Sequence, residues 1–89
     1  MNKADRKALD SLRTRMDAAV SLFEATRDEV AAELRSMAED QRSRFDNLPE
    51  GLQGGAAGEA LENAASRLEE VADELDAIEV LVEVDWEVE

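Results

Sequence analysis

The chain has 89 residues, contains no cysteine, and carries 10 basic against 23 acidic side chains, for a net charge of −13. This length allows one small domain, which buries only about 60% of the surface that its unfolded chain exposes, and neither a disulfide nor a thiolate metal site can support it. The acidic balance argues against direct binding to nucleic acid or anionic membranes, and the absence of His, Cys and Tyr removes most side chains that serve enzymes as acids, nucleophiles and metal ligands.

The N-terminal region predicts a protein that stays in the cytoplasm. Residues 1–10 are highly charged and lack the apolar stretch of a signal peptide. No purely apolar run in the chain exceeds three residues, whereas a membrane span needs about 20. We therefore expect no membrane association and, from the missing side chains, no catalysis, no metal and no cofactor.

The first predicted element is a single long helix over residues 5–46. Apolar residues recur there at spacings of three and four, and neither glycine nor proline interrupts them. At 1.5 Å per residue such a helix is roughly 60 Å long, much longer than the average helix of a globular protein. The same spacing is typical of helices that pack in coiled coils.

A turn over residues 47–57 separates this helix from a second one, predicted over residues 58–79. Pro49 excludes the preceding residue from the helical region, and the glycines at positions 51, 54 and 55 supply turn conformations. The second helix keeps apolar spacings of three and four, and alanines at positions 60, 65 and 72 permit close approach of a neighbouring helix. Folded back antiparallel, it covers about half the length of the first helix.

Residues 80–89 change to an alternating pattern. Valines and Trp86 alternate mainly with acidic residues, which favours a short β-strand, the alternative being a frayed tail. A strand without a partner in its own chain can pair with another protein. The candidate partner-binding residues are Val84, Trp86 and Val88. Trp86 serves either as a packing anchor or as an interface residue.

The sequence therefore predicts an all-α fold. A long and a short helix form an antiparallel hairpin, and hairpins assemble into an oligomeric helical bundle, with a short C-terminal strand or frayed tail. The N-terminal half of the long helix would be bare in a monomer, and its apolar surface is costly to leave in water. We therefore expect a dimer or tetramer. The predicted interface residues are Leu9, Leu12, Met16, Ala19, Val20, Leu22, Phe23 and Val30.

Charge is distributed unevenly along the chain. Residues 1–46 carry nine basic and ten acidic side chains, whereas residues 47–89 carry one basic and thirteen acidic ones. The second helix is therefore predicted to carry an unpaired acidic ridge, made of Glu62, Glu69, Glu70, Asp73 and Asp76. Two such ridges repel, which places the long helix at the centre of the assembly. There Arg13, Arg15 and Arg27 either clamp the phosphates of a small nucleotide or pair with carboxylates of a neighbouring copy.

The turn carries a longer motif. Residues 44–53 read R-F-D-N-L-P-E-G-L-Q, and residues 58–62 read G-E-A-L-E. Over residues 40–79 the chain resembles small acidic helical-hairpin proteins of unknown function found in phages and prophages. The resemblance implies an accessory protein of a phage or mobile element, which acts in the host cytoplasm. The resemblance further implies a role against host defence, as in many accessory proteins of this class, by binding a host protein or by sequestering a signalling nucleotide.

Together these features predict a non-catalytic, homo-oligomeric binding protein. Its expected partners are further copies of itself and either a host defence protein or a signalling nucleotide, with no direct contact to nucleic acid or membrane. Two alternatives remain open. The acidic surface can imitate a DNA backbone and occupy a DNA-binding protein, or the protein can be a structural or assembly accessory.

Overall fold

A computed structural model of the protein describes residues 1–80 and 83–88. Within these residues helix α1 spans Lys3–Asp46, helix α2 spans Glu50–Gln53 and helix α3 spans Ala56–Asp76, and no strand is present. The all-α class, with one long and one shorter helix, is thereby confirmed for the described part of the chain. The molecule is elongated, with extents of 76 × 15 × 12 Å.

Helix α1 begins two residues earlier than predicted because Asn2 caps it. The Asn2 side-chain oxygen accepts a hydrogen bond from the backbone N–H of Asp5 at 2.8 Å, which satisfies one donor of the first turn. The helix then continues without interruption to Asp46, where Asn47 is its C-cap. Pro49 follows two residues later and prevents the chain from continuing as the same helix.

The predicted turn over residues 47–57 contains a further element, the one-turn helix α2. The side-chain amide of Gln53 donates to the backbone carbonyls of Phe45 and Leu48, at 3.3 Å in each case, and ties α2 to the end of α1. Gly58, in the first turn of α3, is buried against the backbone of Gln53. The reversal of the chain is thus held by a side-chain amide on one side and by a close backbone approach on the other.

Helix α3 packs against the C-terminal half of α1 and runs in the opposite direction. The order of the ion pairs shows this direction. Arg35 pairs with Asp73 and Asp76, whereas Arg42, further along α1, pairs with Glu69, which comes earlier in α3.

The contact between α1 and α3 is centred on alanines. The buried apolar side chains are those that are at most 1% exposed, and in the described residues they are Ala31, Ala38, Ala65 and Ala72. Within each helix the two alanines are seven residues apart, which is two turns, so they form a line along the contact. A side chain of one methyl group lets the two backbones approach closely. We call this line the alanine seam.

Helix α3 ends earlier than the sequence predicted. Its last residue is Asp76, with Ala77 as C-cap, whereas the apolar spacing predicted a helix to residue 79. The guanidinium of Arg27 donates to the backbone carbonyl of Ile78 at 2.7 Å and occupies an acceptor that a continuing helix would use for its own next turn. The β-branched side chains of Ile78 and Val80 also lower the helix propensity at this point.

The predicted C-terminal strand is wrong for Val80 and residues 83–88, which are neither strand nor helix. Residues 81, 82 and 89 of that prediction lie outside the described residues. A strand needs a neighbouring backbone with free hydrogen-bonding groups, and the backbone of α1 uses its own groups within the helix. Residues 83–88, which we call the tail, instead lie along the N-terminal half of α1. The tail covers that half only in part, because Leu12 remains 49% and Met16 51% exposed.

Candidate functional site

The large apolar side chains of α1 and α3 lie on one side of the alanine seam. Six of them follow a seam alanine by three residues or precede one by one residue, while Phe23 lies seven residues before Val30 and Ile78 seven residues after Val71. A cavity between the two helices is lined by Phe23, Thr26, Arg27, Val30, Leu75 and Ile78. We call this surface the apolar face. It consists of Phe23, Val30, Leu34, Met37, Leu68, Val71, Leu75 and Ile78.

The apolar face remains open to solvent. Phe23 is 40% exposed, Val30 42%, Ile78 44% and Met37 49%, and no large side chain among the described residues is fully buried. The four seam alanines therefore supply the only fully covered apolar side chains in the described part of the chain. Monomeric soluble proteins rarely expose a contiguous apolar strip of this kind, so the face is a candidate interaction surface.

The opposite side of the seam carries ion pairs. The residues four positions after the seam alanines are Arg35, Arg42, Glu69 and Asp76. Arg42 donates from Nη1 and Nη2 to the two carboxylate oxygens of Glu69, and the bond from Nη2 is 2.9 Å long. Arg35 Nη2 lies 3.1 Å from Asp73 Oδ1 and 2.5 Å from Asp76 Oδ2. The charged side chains thus lie across from one another, between α1 and α3.

These pairs correct the prediction of an unpaired acidic ridge. Glu69, Asp73 and Asp76 are paired with arginines of α1, and Glu70 lies 3.2 Å from Arg67 on its own helix. Of the five predicted ridge residues, Glu62 is the one with no ion pair within the described residues. The correction arises because antiparallel packing brings the arginines of the C-terminal half of α1 to the acidic positions of α3.

The Arg42 pair changes proton binding at Glu69. The hydrogen bond from Arg42 is the main cause that lowers the pKa of Glu69 below its ordinary value of 4.5, and the charges of Arg42 and Arg35 act in the same direction. The same hydrogen bond raises the pKa of Arg42, and hydrogen bonds to Asp76 and Asp73 raise that of Arg35. The three groups therefore stay charged at neutral pH.

We expect this pairing to make stability depend on acid pH. Because the pKa of Glu69 is lower in the folded state, the pairing stabilises the fold fully above the unfolded-state pKa, and this stabilisation is lost as the pH falls through the folded-state pKa. Urea unfolding between about pH 6 and pH 3 should show Glu69→Gln with a smaller loss of stability on acidification than the parent. Glu59→Gln, at a residue with no ion pair in the described part of the chain, is the control and should keep the parent slope.

The three arginines predicted as a ligand site do not meet within one chain. Arg27 is engaged internally, because it donates to the Ile78 carbonyl and pairs with Asp28 at 3.1 Å. Arg13 lines a cavity of about 380 Å³ with Leu9 and tail residues, and Arg15 lines a different one. Arg13 and Arg27 are separated by about 21 Å of helix. A nucleotide clamp built from all three would require further copies of the chain.

The predicted interface residues of the N-terminal half divide into three groups. Leu9, Leu12, Met16 and Ala19 line cavities shared with the tail, and Val20 is half-buried. Phe23 and Val30 belong to the apolar face. Leu22 lies outside both surfaces and is 68% exposed. Apart from Leu22, the interface residues predicted from one helical pattern therefore belong to two distinct surfaces.

The tail is anchored by its tryptophan. Trp86 is half-buried and closes a cavity of about 470 Å³ with Leu12, Met16 and Ala19, whereas Val84 and Val88 are 59% and 61% exposed. The only hydrogen bond found within the described tail is local, from the backbone N–H of Glu87 to Asp85 Oδ1 at 2.9 Å. We call the α1 surface under the tail, formed by Leu9, Leu12, Met16 and Ala19, the tail groove.

Sequence reasoning missed the residues that form the ion-paired side. The available signal was a repeat in which an alanine is followed four residues later by a charged residue, positive on α1 and negative on α3. This repeat occurs twice on each helix, at Ala31, Ala38, Ala65 and Ala72. The close packing of Gly58 had no comparable signal, because it depends on α2 folding against α3.

Within the described residues, no group of three acidic or other metal-ligating side chains is arranged to hold a metal ion. No helix in the same residues combines the length and hydropathy that a membrane span requires. No protein-family model, curated protein or solved structure matches the chain. The apolar face and the tail groove are therefore the features of the described residues that indicate a function.

Proposed function

We propose that the protein is a non-catalytic, homo-oligomeric binding protein whose apolar face joins two copies into a helical bundle. The observation that carries this proposal is the exposure of the apolar face in a chain whose covered apolar side chains, as far as it is described, are four alanines. An isolated hairpin with so small a core lacks the apolar burial that stabilises a domain of this size. Pairing of the apolar faces of two copies supplies this missing apolar burial.

A second copy is the occupant that best fits this face. The residues of the face are apolar and repeat every seven residues, and Arg27 at its edge is already bonded to the Ile78 carbonyl and Asp28, so an identical face offers side chains of the same character at the same spacing. Each chain carries a net charge of −13, and packing through the apolar faces turns the ion-paired sides away from each other. A partner with charged side chains at this surface would instead bury those charges against apolar groups, where they have no hydrogen-bond or ion-pair partner.

The test is the mass of the protein in solution, by light scattering or native mass spectrometry. We expect the parent chain at micromolar concentration to have a mass of two or more chains. Phe23→Asp, which places a carboxylate within the apolar face, should weaken association on the order of 100-fold and give a monomer. Leu22→Asp is the matched control, because the neighbouring residue lies off the face, and it should keep the parent mass. A monomeric parent chain would contradict the proposal.

The binding role is supported for a protein partner more than for a nucleotide. Arg27, which a phosphate clamp would need, is engaged by the Ile78 carbonyl and by Asp28. A role as an acidic DNA decoy has less support than the sequence suggested, because the ridge carboxylates are largely paired with arginines. With the resemblance of residues 44–53 and 58–62 to phage hairpin proteins as its support, we propose a cytoplasmic accessory protein of the phage or mobile-element type that holds a host protein.

A further inference from the structure

The segment of α1 that carries the tail groove and the tail have opposite net charge. Residues 1–20, which comprise the N-cap region and the first part of α1, carry five basic and three acidic side chains. The tail carries three acidic side chains and no basic one. Arg13 lines the same cavity as Asp85 and Glu87, Arg6 lines a second cavity with Glu87 and Val88, and the one acidic residue of α1 in both linings is Asp10. The groove therefore combines an apolar floor with basic residues at its margin, which suits an acidic segment with an apolar anchor.

The tail fills this groove incompletely. Trp86 is its one half-buried side chain, and spaces of about 380 and 250 Å³ remain beside Val84 and Val88. These two valines lie two residues on either side of Trp86, yet both are more than half exposed. The contact contains no backbone ladder among the described residues, and Trp86 is the tail side chain that it buries most. A ligand with larger apolar side chains at the two valine positions would bury more surface than the tail itself.

We infer that the tail groove is a docking site for an acidic, non-helical segment of a partner protein. In this segment an aromatic side chain lies between two carboxylates and is flanked by apolar residues larger than valine. The tail occupies the groove in the free protein as an internal competitor, which a better-filling segment displaces. This inference names the partner of the binding role proposed above and rests on that role, but its geometry involves the groove and not the apolar face.

A second copy of the chain is a poorer occupant of the groove. Exchange of tails between copies would re-form the same contacts around Trp86, with the same spaces beside Val84 and Val88, and it gains no buried surface. In addition, each copy brings its own tail at the high effective concentration of an intramolecular segment. Only a segment that fills the groove better can overcome this competition.

The test uses the single tryptophan of the chain. The full-length variant Trp86→Ala contains neither tryptophan nor tyrosine, so an added peptide supplies the only tryptophan emission. Two synthetic peptides are titrated with this variant, one with the sequence of residues 79–89 and one with leucine in place of Val84 and Val88. We expect a blue shift of the emission with both peptides and about tenfold tighter binding of the leucine peptide, because it buries two more methylene groups.

Three comparisons make the outcome decisive. With a dye on the peptide, the parent chain should bind the leucine peptide at least about tenfold more weakly than Trp86→Ala does, because its own tail competes. Adding Leu12→Glu to Trp86→Ala should abolish binding, whereas adding Leu22→Glu should preserve it. If circular dichroism shows that Trp86→Ala has lost helix content, the titration of the parent chain with the dye-labelled peptide still tests whether the groove binds that peptide.

Several results would overturn the inference. They are the absence of an emission change, equal affinity of the parent chain and Trp86→Ala, or binding that survives Leu12→Glu. Equal affinity of the two peptides, together with a fall in mass when the 79–89 peptide is added, would show that tails exchange between copies and that no foreign segment is favoured. Repeating the titration with Phe23→Asp separates the groove from the apolar face, so failure of self-association does not conceal peptide binding.

Discussion

Replacement of Gly58 by alanine is expected to destabilise the protein by about 1–3 kcal/mol, the range typical of overpacked sites. A Cβ atom at this position would lie 2.0 Å from the backbone oxygen and 2.6 Å from the carbonyl carbon of Gln53. Because these are backbone atoms, no side-chain rotation can relieve the contact, and α2 must move away from α3. The expected loss of stability is informative because alanine is a better helix former than glycine by about 1 kcal/mol. Helix propensity alone therefore predicts that the variant is more stable than the parent.

Gly51→Ala is the matched control for this prediction. Gly51 is also helical, and a Cβ there meets nothing within 4 Å, so the variant should equal or exceed the parent in stability. Both variants are compared with the parent by urea unfolding followed by far-UV circular dichroism, at one fixed chain concentration because association contributes to stability. A Gly58→Ala protein as stable as Gly51→Ala would show that α2 does not hold its position against α3.

The helical elements were largely predictable from local sequence. The absence of glycine and proline before Pro49 determines a single long helix, and the spacing of apolar residues indicates the second helix. The predicted end at residue 46 coincides with the observed end of α1, because the terminating signal is local. The start of α1 was predicted two residues late, since the capping role of Asn2 is a side-chain contact and periodicity does not reveal it.

The end of α3 and the path of the tail depend on contacts that local sequence does not contain. Arg27 takes the carbonyl of Ile78 from a position 51 residues away, and only the packing of the two helices brings them together. The alternating pattern of the tail has the period of a strand but has no backbone partner on α1. Its single tryptophan was predicted as either an anchor or an interface residue, and in the structure it is half-buried beside Leu12, Met16 and Ala19.

The residue types of the candidate surfaces were predictable from the sequence, but the positions of these residues relative to one another were not. Acidic residues on the second helix were recognised, but their pairing with Arg35 and Arg42 follows from the register of the helices, which periodicity leaves undetermined. Likewise, apolar residues of the long helix were assigned to one interface, although the tail covers part of them and leaves Phe23 and Val30 on another surface. The alanine seam is the buried part of the contact between the helices, so its effect on their register can be tested directly.

Ala38→Leu is expected to lower stability by about 1–3 kcal/mol and to separate α1 from α3 at the middle of the seam. Ala38 is 0% exposed, and the neighbouring ion pairs place Ala72, also 0% exposed, at the same level of α3. Three additional carbon atoms on Ala38 therefore meet the opposite backbone, and the helices must move apart or shift in register. Either change also lengthens the pairs of Arg35 and Arg42, which adds to the loss.

Ala32→Leu provides the control for the seam, because residue 32 is exposed on the same helix and leucine is nearly as good a helix former as alanine. It should stay within about 0.5 kcal/mol of the parent in urea unfolding, as surface substitutions usually do. If overpacking changes the register, the pH dependence assigned to Glu69 should disappear in Ala38→Leu and persist in Ala32→Leu, since it requires Arg42 opposite Glu69. Equal stability and equal pH dependence of the two leucine variants would mean that the alanine seam does not determine how α1 and α3 pack.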